Sequence, residues 1–201
     1  MPDPQRRFVT RAGEKLDAAL RAFGIGVAGR VCADLGCHAG GFTDCLLQHG
    51  AARVHAVDPG FGVLDYRLRR DPRVCVHERQ NALTFMPIEP CSLVTIDVGW
   101  TPQRLILPAA ARWGGPQGGE VISLIKPHYE ADRSALRAGV LPPEAHVPLL
   151  DRLRAEIARM GWRVLGEVES PIAGHGGNRE WLWRLVRAEW ETGGRANTMA
   201  E

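Results

Sequence analysis

The 201-residue chain has only two lysines, Lys15 and Lys126, among its 25 basic residues. Arginine serves any surface that needs positive charge, whereas the compact ammonium of lysine has a pKa that responds to burial and to neighbouring charges. The two lysines are therefore candidates for a catalytic role. The alternative, which composition alone leaves open, is that lysine remains at these two positions by chance. Lys126 directly follows an apolar run at residues 121–125, and Lys15 lies on, or at the start of, a helical segment.

Two aspartates follow short apolar runs in the same way. Asp58 comes directly after residues 54–57, and Asp97 comes directly after residues 93–96. If these runs are parallel strands, their carboxyl ends share one edge of a sheet, which is where such folds bind ligands. Asp58 also lies about 20 residues after Gly36, a spacing at which an acid reaches the ribose hydroxyls of a nucleoside-containing cofactor. A plain turn residue is the alternative for Asp58.

A glycine-rich segment connects the first apolar run to a helix. It contains Asp34, Gly36, Gly40 and Gly41. Glycines at such a turn let the backbone approach a ligand closely. The segment has neither the Gly-x-Gly-x-x-Gly spacing of a dinucleotide fold nor the Gly-Lys-Ser/Thr ending of a phosphate loop, which disfavours a phosphate-binding role. A tight strand-to-helix turn without a ligand remains the alternative.

Apolar runs alternate with helical segments along the chain, which predicts an α/β fold with a parallel sheet covered on both faces. Five runs are predicted as strands, at residues 31–35, 54–57, 74–77, 93–96 and 121–125. Two further runs, at residues 162–165 and 181–186, are joined by a segment too short for a helical crossover. We therefore expect these last two strands to pair antiparallel.

Three amphipathic segments are predicted as the main helices, at residues 10–24, 42–49 and 143–160. Thr10 is the expected cap of the first of these helices, and Gly24 is expected to end it. In the third helix, the apolar residues expected to face inward are Val147, Leu150, Leu153, Ile157 and Met160.

The composition is that of one soluble globular domain, predicted to span residues 1–201. A net charge of +2, with 45% hydrophobic and 24% charged residues, excludes disorder, collagen and coiled coil. Residues 1–7 and 191–201 are expected to be flexible. The five cysteines form no Cys-x-x-Cys pair, and no segment has the pattern of a signal peptide or a membrane span. These features predict free thiols, a cytoplasmic protein and no membrane.

A metal site is disfavoured. Cys32, Cys37, His38 and Cys45 are close in sequence, but a strand, a loop and a helix would present them in different directions. We therefore predict no metal ligand.

Six segments of the chain together resemble a known family. They are residues 10–16, 34–47, 56–62, 95–98, 124–127 and 177–180. In these segments the chain is similar to the FtsJ-type RNA 2′-O-methyltransferases, and most closely to their TlyA, or haemolysin A, branch. The resemblance implies a Rossmann-like S-adenosylmethionine-dependent methyltransferase fold, with a mostly parallel seven-stranded sheet and an antiparallel last strand.

The family has a Lys-Asp-Lys-Glu tetrad around the ribose 2′-hydroxyl that it methylates. On this chain the resemblance places the tetrad at Lys15, Asp97, Lys126 and Glu180. The implied reaction is transfer of a methyl group from S-adenosylmethionine to a ribose 2′-hydroxyl of RNA, with ribosomal RNA as the expected substrate. We expect the Lys126 ammonium to stabilise developing alkoxide charge, and Asp97 to hold that ammonium and accept a proton. Lys15 and Glu180 are expected to position the lysine, the ribose or a phosphate.

The resemblance also implies the contacts with S-adenosylmethionine. The implied contacts in the glycine-rich segment are Asp34, Gly36, Gly40, Gly41 and Phe42. The glycines and the phenylalanine would lie along the methionine part of the cofactor. Asp58 would bind the ribose hydroxyls, Asn81 would lie by the adenine, and Asp97 would lie where cofactor and substrate meet.

The chain departs from the family pattern in two places, at Cys37-His38-Ala39 in the loop and at Gly99-Trp100 after the predicted catalytic aspartate. Cys37 and His38 are expected to shift cofactor affinity, and Gly99 and Trp100 to reshape the acceptor pocket. TlyA-type proteins carry an N-terminal S4 RNA-binding domain, and this chain begins where that domain would already have ended. A helper RNA-binding protein is therefore a predicted partner.

Arginines cluster twice in the sequence, at Arg6, Arg7 and Arg11 and again at Arg67, Arg69, Arg70 and Arg73. Such clusters usually form solvent-exposed surfaces, but arginines at the entrance of a site can bind phosphates. Two alternatives to RNA methylation stay open. One is an O-methyltransferase for a small-molecule hydroxyl, which would have a closed acceptor pocket in place of an open basic groove; the other is a non-enzymatic binding or membrane-lytic protein. The sequence leaves the oligomeric state open.

Overall fold

The computed structural model describes residues 6–116 and 118–189, apart from the side chain of His175. The strands in this part of the chain are β1 (Val31–Leu35), β2 (Arg53–Asp58), β3 (Val74–Glu78), β4 (Leu93–Ile96), β5 (Glu120–Ile125), β6 (Trp162–Glu169) and β7 (Trp181–Arg187). The α-helices are α1 (Ala12–Phe23), α2 (Gly41–Gln48), α3 (Tyr66–Arg69), α4 (Gln103–Gly114), α5 (Pro127–Glu130) and α6 (Pro143–Arg159).

The strands form one seven-stranded sheet in the order β3-β2-β1-β4-β5-β7-β6. Strands β1 to β5 pair parallel, whereas β7 pairs antiparallel with both β5 and β6. This topology confirms the predicted α/β class, the mostly parallel sheet and the antiparallel pairing of the last two strands. Each predicted run is a strand, and β6 continues to Glu169, beyond the end of its predicted run.

The strand order reverses between β1 and β4. From β1 the chain builds outward through β2 and β3 on one side, and from β4 it builds through β5 on the other. The register pairs Leu35 with Ile96, so the residues that follow these two, Gly36 and Asp97, leave the sheet side by side. The Asp97 N–H donates to the Leu35 carbonyl oxygen at 3.0 Å. A crevice at such a reversal is where open α/β sheets bind ligands.

Apolar side chains cover both faces of the sheet. On one face, α1 and α2 pack through buried residues such as Leu16, Phe42 and Leu46. On the other face, α4 and α6 pack through buried residues such as Trp113 and Leu153. Burying one large apolar side chain contributes about 1.5–3 kcal/mol. The two layers thereby fix the sheet whose carboxyl edge carries the predicted site.

The first helix begins slightly later than predicted. Its first residue is Ala12 and its N-cap is Arg11, so the prediction of Thr10 as the cap is wrong by one position. The Thr10 hydroxyl accepts a hydrogen bond from the Ala12 N–H at 3.3 Å. Gly24, with φ of 63°, ends the helix in the left-handed conformation, as predicted.

The predicted inward face of α6 is wrong at Val147, which is 67% exposed. The buried side chains of this helix are His146, Leu149, Leu150, Leu153 and Ile157. Neighbouring positions of an α-helix point about 100° apart, so Val147, next to the buried His146, falls outside the stripe that packs on the sheet.

The predicted flexible ends lie largely outside the described residues, which exclude residues 1–5 and 190–201. Arg7, within the first of these ends, is held in place. Its guanidinium donates to Asp17 at 2.8 Å, and its carbonyl oxygen accepts from the Gln48 side chain at 2.9 Å.

All five cysteines are free thiols, as predicted. Burial raises the pKa of Cys32 and of Cys91 to about 12. These two thiols are therefore protonated and unreactive at neutral pH.

Candidate active site

A cavity of about 720 Å³ lies at the carboxyl edge of the sheet, where the strand order reverses. Its walls come from the connections that follow strands β1 to β5 and from the segment that leads into α1. The predicted site residues on its walls are Gly36, Gly41, Phe42, Asp58, Asn81, Asp97 and Lys126. The structure therefore brings most of the predicted cofactor residues to one cavity, together with the central catalytic pair.

Lys126 and Asp97 meet on the cavity wall. They directly follow β5 and β4, which are parallel neighbours in the sheet. Lys126 Nζ donates to Asp97 Oδ1 at 2.6 Å and to the Val98 carbonyl oxygen at 3.1 Å. The two side chains are 14% and 22% exposed, so both stay within reach of a molecule in the cavity.

Lys126 keeps its positive charge in these surroundings. Burial by itself favours the neutral amine, but the charge and hydrogen bond of Asp97, with smaller contributions from Glu180 and Tyr129, outweigh it and raise the pKa of Lys126. A lysine with a raised pKa is already protonated at neutral pH and is a poor general base. It is well suited to stabilise negative charge on an oxygen atom.

Lys15 and Glu180 form a second ion pair behind the cavity wall. Lys15 Nζ lies 2.5 Å from Glu180 Oε2, and the two side chains are only 8% and 3% exposed. Lys15 lies on α1, whereas Glu180 directly precedes β7. Neither residue lines the cavity, but the charge of Glu180 contributes to the raised pKa of Lys126. The four predicted catalytic residues are thus assembled as two coupled pairs.

The connection before β7 is shaped around Glu180. The Ser170 N–H donates to the Glu180 carbonyl oxygen, and the Gly174 N–H donates to the Asn178 carbonyl oxygen, both at 2.8 Å. A Cβ atom on Gly174 would lie 2.1 Å from Glu180 Oε1. Any side chain at this position would displace the carboxylate, so the glycine keeps Glu180 against Lys15. Sequence reasoning missed this role, because the contact exists only in the folded loop.

Asp58 and Asn81 lie on the cavity wall in fixed orientations. Asp58 Oδ1 accepts from the Gly60 N–H at 2.7 Å, and its Oδ2 accepts from the His38 N–H at 2.9 Å. These bonds hold the carboxylate and leave lone pairs for further donors. Asn81 Oδ1 accepts from the Leu83 N–H at 2.9 Å. The contacts of both side chains with a cofactor stay a prediction.

Two predicted cofactor residues, Asp34 and Gly40, do not line the cavity. Asp34 is fully buried, and its carboxylate accepts from Thr43 Oγ1 at 2.7 Å and from Thr95 Oγ1 at 3.2 Å. Burial raises the pKa of Asp34 to about 7 in spite of these bonds. A Cβ atom on Gly40 would lie 2.3 Å from the Leu68 side chain. Both residues therefore support the cofactor loop from behind.

The other two loop glycines allow close packing of the protein on itself. Gly36 has φ of 87°, and a Cβ atom there would lie 2.5 Å from the Asp97 carbonyl oxygen. A Cβ atom on Gly41 would lie 2.2 Å from Thr10 Oγ1. The glycines bring Asp97 and the start of α1 against the loop, and in this way they shape the cavity.

Two stacked aromatic residues lie near Lys126, on one side of the cavity. Tyr129 lines the cavity, with its ring centroid 5.5 Å from Lys126 Nζ. Trp100 stacks on Tyr129 at a centroid distance of 4.4 Å and is 72% exposed. Trp100 was expected to reshape the acceptor pocket, and its indole lies beside the cavity. Sequence analysis missed Tyr129, because nothing distinguishes an aromatic residue in the turn after β5.

One group of metal-binding residue types comes together away from the cavity. Ligand atoms of Asp17, Cys45 and His49 all lie within 4.8 Å of one another. His49 Nε2 lies 2.7 Å from Asp17 Oδ1, while Asp17 Oδ2 accepts from Arg7 at 2.8 Å and lies 3.1 Å from Arg21 Nε. The arginines balance the charge of Asp17, so these contacts account for the group as an ion-pair cluster between α1 and α2.

Known proteins are similar to this chain in fold and in sequence. The FtsJ-like methyltransferase family model matches residues 8–187. "Putative rRNA methyltransferase YqxC" of Bacillus subtilis is 38% identical over 185 residues, which cover 89% of this chain and 66% of that protein. "16S/23S rRNA (cytidine-2'-O)-methyltransferase TlyA" of Mycobacterium tuberculosis is 37% identical over 193 residues, covering 93% and 72%. The solved structure of a "Putative hemolysin" from Streptococcus thermophilus superposes with a TM-score of 0.87 at 37% identity, covering 92% of this chain and 69% of that one.

The Rossmann-like sheet, with its cavity at the strand reversal, is also the fold of the solved structure of a "putative RNA methyltransferase" from Pyrococcus horikoshii, which superposes with a TM-score of 0.61 at 17% identity and covers 92% of this chain and 88% of that one. The chain belongs to the FtsJ-like methyltransferase family. This membership confirms the family predicted from the six sequence segments, and the TlyA and hemolysin names of the relatives confirm the predicted branch. The chain spans about two thirds of the length of YqxC.

Proposed function

We propose that this protein is an S-adenosylmethionine-dependent methyltransferase that transfers a methyl group to a ribose 2′-hydroxyl of RNA, with ribosomal RNA as its substrate. The observation that carries the proposal is the Lys126–Asp97 pair, 2.6 Å apart on the wall of the cavity. Relatives named as rRNA (cytidine-2'-O)-methyltransferases support the substrate class.

The residues of the cavity fit S-adenosylmethionine. Its volume of about 720 Å³ falls within the roughly 300–1,000 Å³ of typical ligand sites. Asp58 would accept hydrogen bonds from the ribose hydroxyls, and Asn81 would lie by the adenine. Gly36, Gly41 and Phe42 would lie along the methionine part. When bound, S-adenosylmethionine supplies a methyl group on a positively charged sulfur.

Lys126 would stabilise the ribose oxygen as it loses its proton. A ribose hydroxyl is a poor nucleophile at neutral pH, and a fixed ammonium beside it lowers the energy of negative charge that develops on the oxygen. The raised pKa of Lys126 keeps the ammonium charged for this role. Holding the oxygen in line with the methyl carbon adds an orientational contribution.

Asp97 would position Lys126 and take up the hydroxyl proton. Its Oδ1 accepts from Lys126, and within the described part of the chain its Oδ2 makes no hydrogen bond, so that oxygen can face the substrate. S-adenosylmethionine would supply the methyl group, and the proton that the ribose oxygen loses would pass to Oδ2. The Lys15–Glu180 pair would act through Lys126, by the charge that Glu180 places near it.

The acceptor side of the cavity favours a nucleotide over an enclosed small molecule. The Trp100 ring, stacked on Tyr129, is 72% exposed beside the cavity. Exposed aromatic rings of this kind stack on unpaired RNA bases. A small-molecule O-methyltransferase would be expected to close this side of the pocket.

We also propose a cytoplasmic location, because ribosomal RNA is found there, and a helper RNA-binding protein stays a predicted partner. Among the helices that the structure describes, none combines the length and the apolar character needed to cross a membrane.

Transfer of tritiated methyl groups from S-adenosylmethionine to ribosomal RNA and ribosomal subunits tests the proposal. We expect label in RNA, and resistance of the labelled nucleotide to alkaline cleavage, because a methylated 2′ oxygen cannot attack the neighbouring phosphate. Lys126→Ala should lower the rate about 10²–10³-fold. Arg152→Ala, which removes an exposed cation on α6, should keep full activity.

One outcome would reject RNA as the substrate. If the wild-type protein binds S-adenosylmethionine but labels neither RNA nor subunits, the small-molecule alternative becomes the better explanation of the site.

A further inference from the structure

The two arginine clusters of the sequence meet in one groove. A cleft of about 310 Å³ lies between the segment before α1 and the β2–β3 connection. The cations that line it are Arg6, Arg7, Arg67 and Arg73. Apolar walls come from Phe8, Leu47 and Leu68. We call this cleft the arginine groove.

The arginine groove concentrates positive charge in a protein whose net charge is only +2. Residues 6–11 and 65–73 together contain seven arginines, and their only acids are Asp65 and Asp71. The rest of the chain is therefore net acidic. Asp44 also lines the groove, but one of its carboxylate oxygens accepts a backbone N–H at 2.8 Å.

The two acids have a structural role of their own. Asp65 Oδ1 accepts from the Arg67 N–H at 2.8 Å at the start of α3, and Asp71 Oδ1 accepts from the Arg73 N–H at 2.9 Å. The same acids also pair with the guanidinium groups of these arginines, whose side chains are 70% and 43% exposed. Because exposed ion pairs contribute little to stability, folding alone does not explain the arginines.

Tyr66, directly before Arg67, adds an exposed ring beside these cations. It is 68% exposed. The Arg70 guanidinium lies 5.6 Å from its ring centroid and donates to its hydroxyl at 3.1 Å. Aromatic rings beside backbone-binding cations are the arrangement by which proteins bind single-stranded nucleic acid.

The groove adjoins the cavity. The segment before α1 lines the groove at residues 6–9 and the cavity at Thr10. Leu68, in the wall of the groove, packs against Gly40 of the glycine-rich loop, where a Cβ atom would lie 2.3 Å away. The two sites are therefore neighbours on the protein, so adjacent nucleotides of one RNA strand can occupy both.

We infer that the arginine groove binds an unpaired stretch of RNA next to the nucleotide that enters the cavity. The guanidinium groups contact phosphates, and Tyr66 stacks on a base. The choice of RNA rests on the proposed function. An acidic protein surface could match the cations, but it would leave the exposed Tyr66 ring without a role.

Fluorescence anisotropy with a short labelled single-stranded RNA tests the groove in the full chain. Arg67→Ala/Arg73→Ala, which removes two cations that line the groove, should weaken binding about tenfold and should lower the slope of log affinity against log salt by about 1.4 units, since each phosphate contact on a single strand contributes about 0.7. Tyr66→Ala should also weaken binding about tenfold, whereas Tyr66→Phe keeps the ring and should bind like the wild type.

The matched control is Arg152→Ala/Arg159→Ala, which removes two exposed arginines of α6 and should leave RNA affinity unchanged. The inference is overturned if the groove variants bind RNA as tightly as the wild type. It is also overturned if the α6 control loses as much affinity as they do, since net charge alone would then explain the loss.

Methyl transfer by the same proteins separates this inference from the proposed function. If the wild type methylates RNA and the groove variants bind RNA with unchanged affinity, the inference about the groove is overturned and the proposed function stands. If RNA binding depends on the groove but the protein transfers no methyl group to RNA, the proposed function is overturned and the inference about the groove stands.

Discussion

The two lysine–carboxylate pairs contain the same chemical groups but lie in different surroundings. Lys126 and Asp97 are 14% and 22% exposed on the cavity wall, whereas Lys15 and Glu180 are 8% and 3% exposed behind it. This access would let the first pair touch a substrate oxygen in the proposed reaction. The second pair is closed off, so its influence passes through Lys126, whose pKa Glu180 helps to raise. Burial can thus assign different roles to two lysine–carboxylate pairs, with the more exposed pair placed to contact a substrate and the buried pair placed to position it.

The largest expected effect is on stability, and it separates the two pairs. Lys15→Ala would leave the Glu180 carboxylate buried without its partner, which costs about 3–5 kcal/mol of unfolding free energy. Lys126→Ala should cost much less, because Asp97 stays within reach of water in the cavity. Urea unfolding of both variants measures the difference.

A double variant provides the control for this prediction. Lys15→Met/Glu180→Met removes both buried charges and should recover most of the lost stability. Equal losses in Lys15→Ala and Lys126→Ala would mean that the two pairs do not differ as described.

A smaller effect is expected from Gly174→Ala, which disturbs only the buried pair. The added methyl group would push the Glu180 carboxylate away from Lys15, and overpacking of this kind costs about 1–3 kcal/mol. Because the shifted carboxylate would also change the charge near Lys126, we expect kcat for methyl transfer to fall about tenfold, a loss of about 1.36 kcal/mol of transition-state stabilisation. The KM for S-adenosylmethionine should stay unchanged, and steady-state kinetics measures both.

Gly26→Ala is the matched control, because a Cβ atom there would meet no atom within 4 Å. Combining Gly174→Ala with Glu180→Asp, whose shorter side chain makes room, should be no worse than Glu180→Asp alone. If Gly174→Ala has the kcat of the wild type, Gly174 does not contribute to catalysis by positioning Glu180.

The last effect is gradual and depends on pH. It concerns Asp34, a carboxyl group that has threonine partners in place of a lysine. Burial raises its pKa from an ordinary 3.8 to about 7 in the folded protein. Between these values the unfolded chain releases the Asp34 proton while the folded protein keeps it. The contribution of Asp34 to stability therefore falls as the pH rises through this window, by at most about 1.4 kcal/mol per pH unit.

Asp34→Asn should remove this decline, because the amide resembles the protonated acid and does not titrate. Melting temperatures of the wild type and the variant, compared between acid and neutral pH, measure it. Parallel curves for the two proteins would show that Asp34 does not titrate in this window.

Much of the fold was predictable from local patterns. Every predicted apolar run is a strand, and the five strands that pair parallel are continuous apolar runs because both faces of the sheet are covered. The meeting of Asp97 and Lys126 follows from the same pattern, since each residue directly follows one of two such runs. The pairing of Asp97 with Lys126 could therefore be predicted from the sequence.

The remaining features depend on packing between distant segments. Lys15 and Glu180 come from opposite ends of the chain, and only the family resemblance grouped them. The space that Gly174 leaves and the stacking of Trp100 on Tyr129 exist only in the folded protein. Val147 was misplaced because one step around a helix separates a buried position from an exposed one. The two arginine clusters are distant in sequence, so their position in one groove likewise could be seen only in the folded protein.

The position of β7 has a consequence for how the protein is made. This strand lies between β5 and β6 in the sheet although it follows both in the chain, and Glu180 directly precedes it. A nascent polypeptide thus lacks an interior piece of its sheet, and the counterion of Lys15, until this late segment has been translated and has docked. On the proposed function, methyl transfer can begin only after synthesis has passed that point, and truncated translation products are expected to be inert.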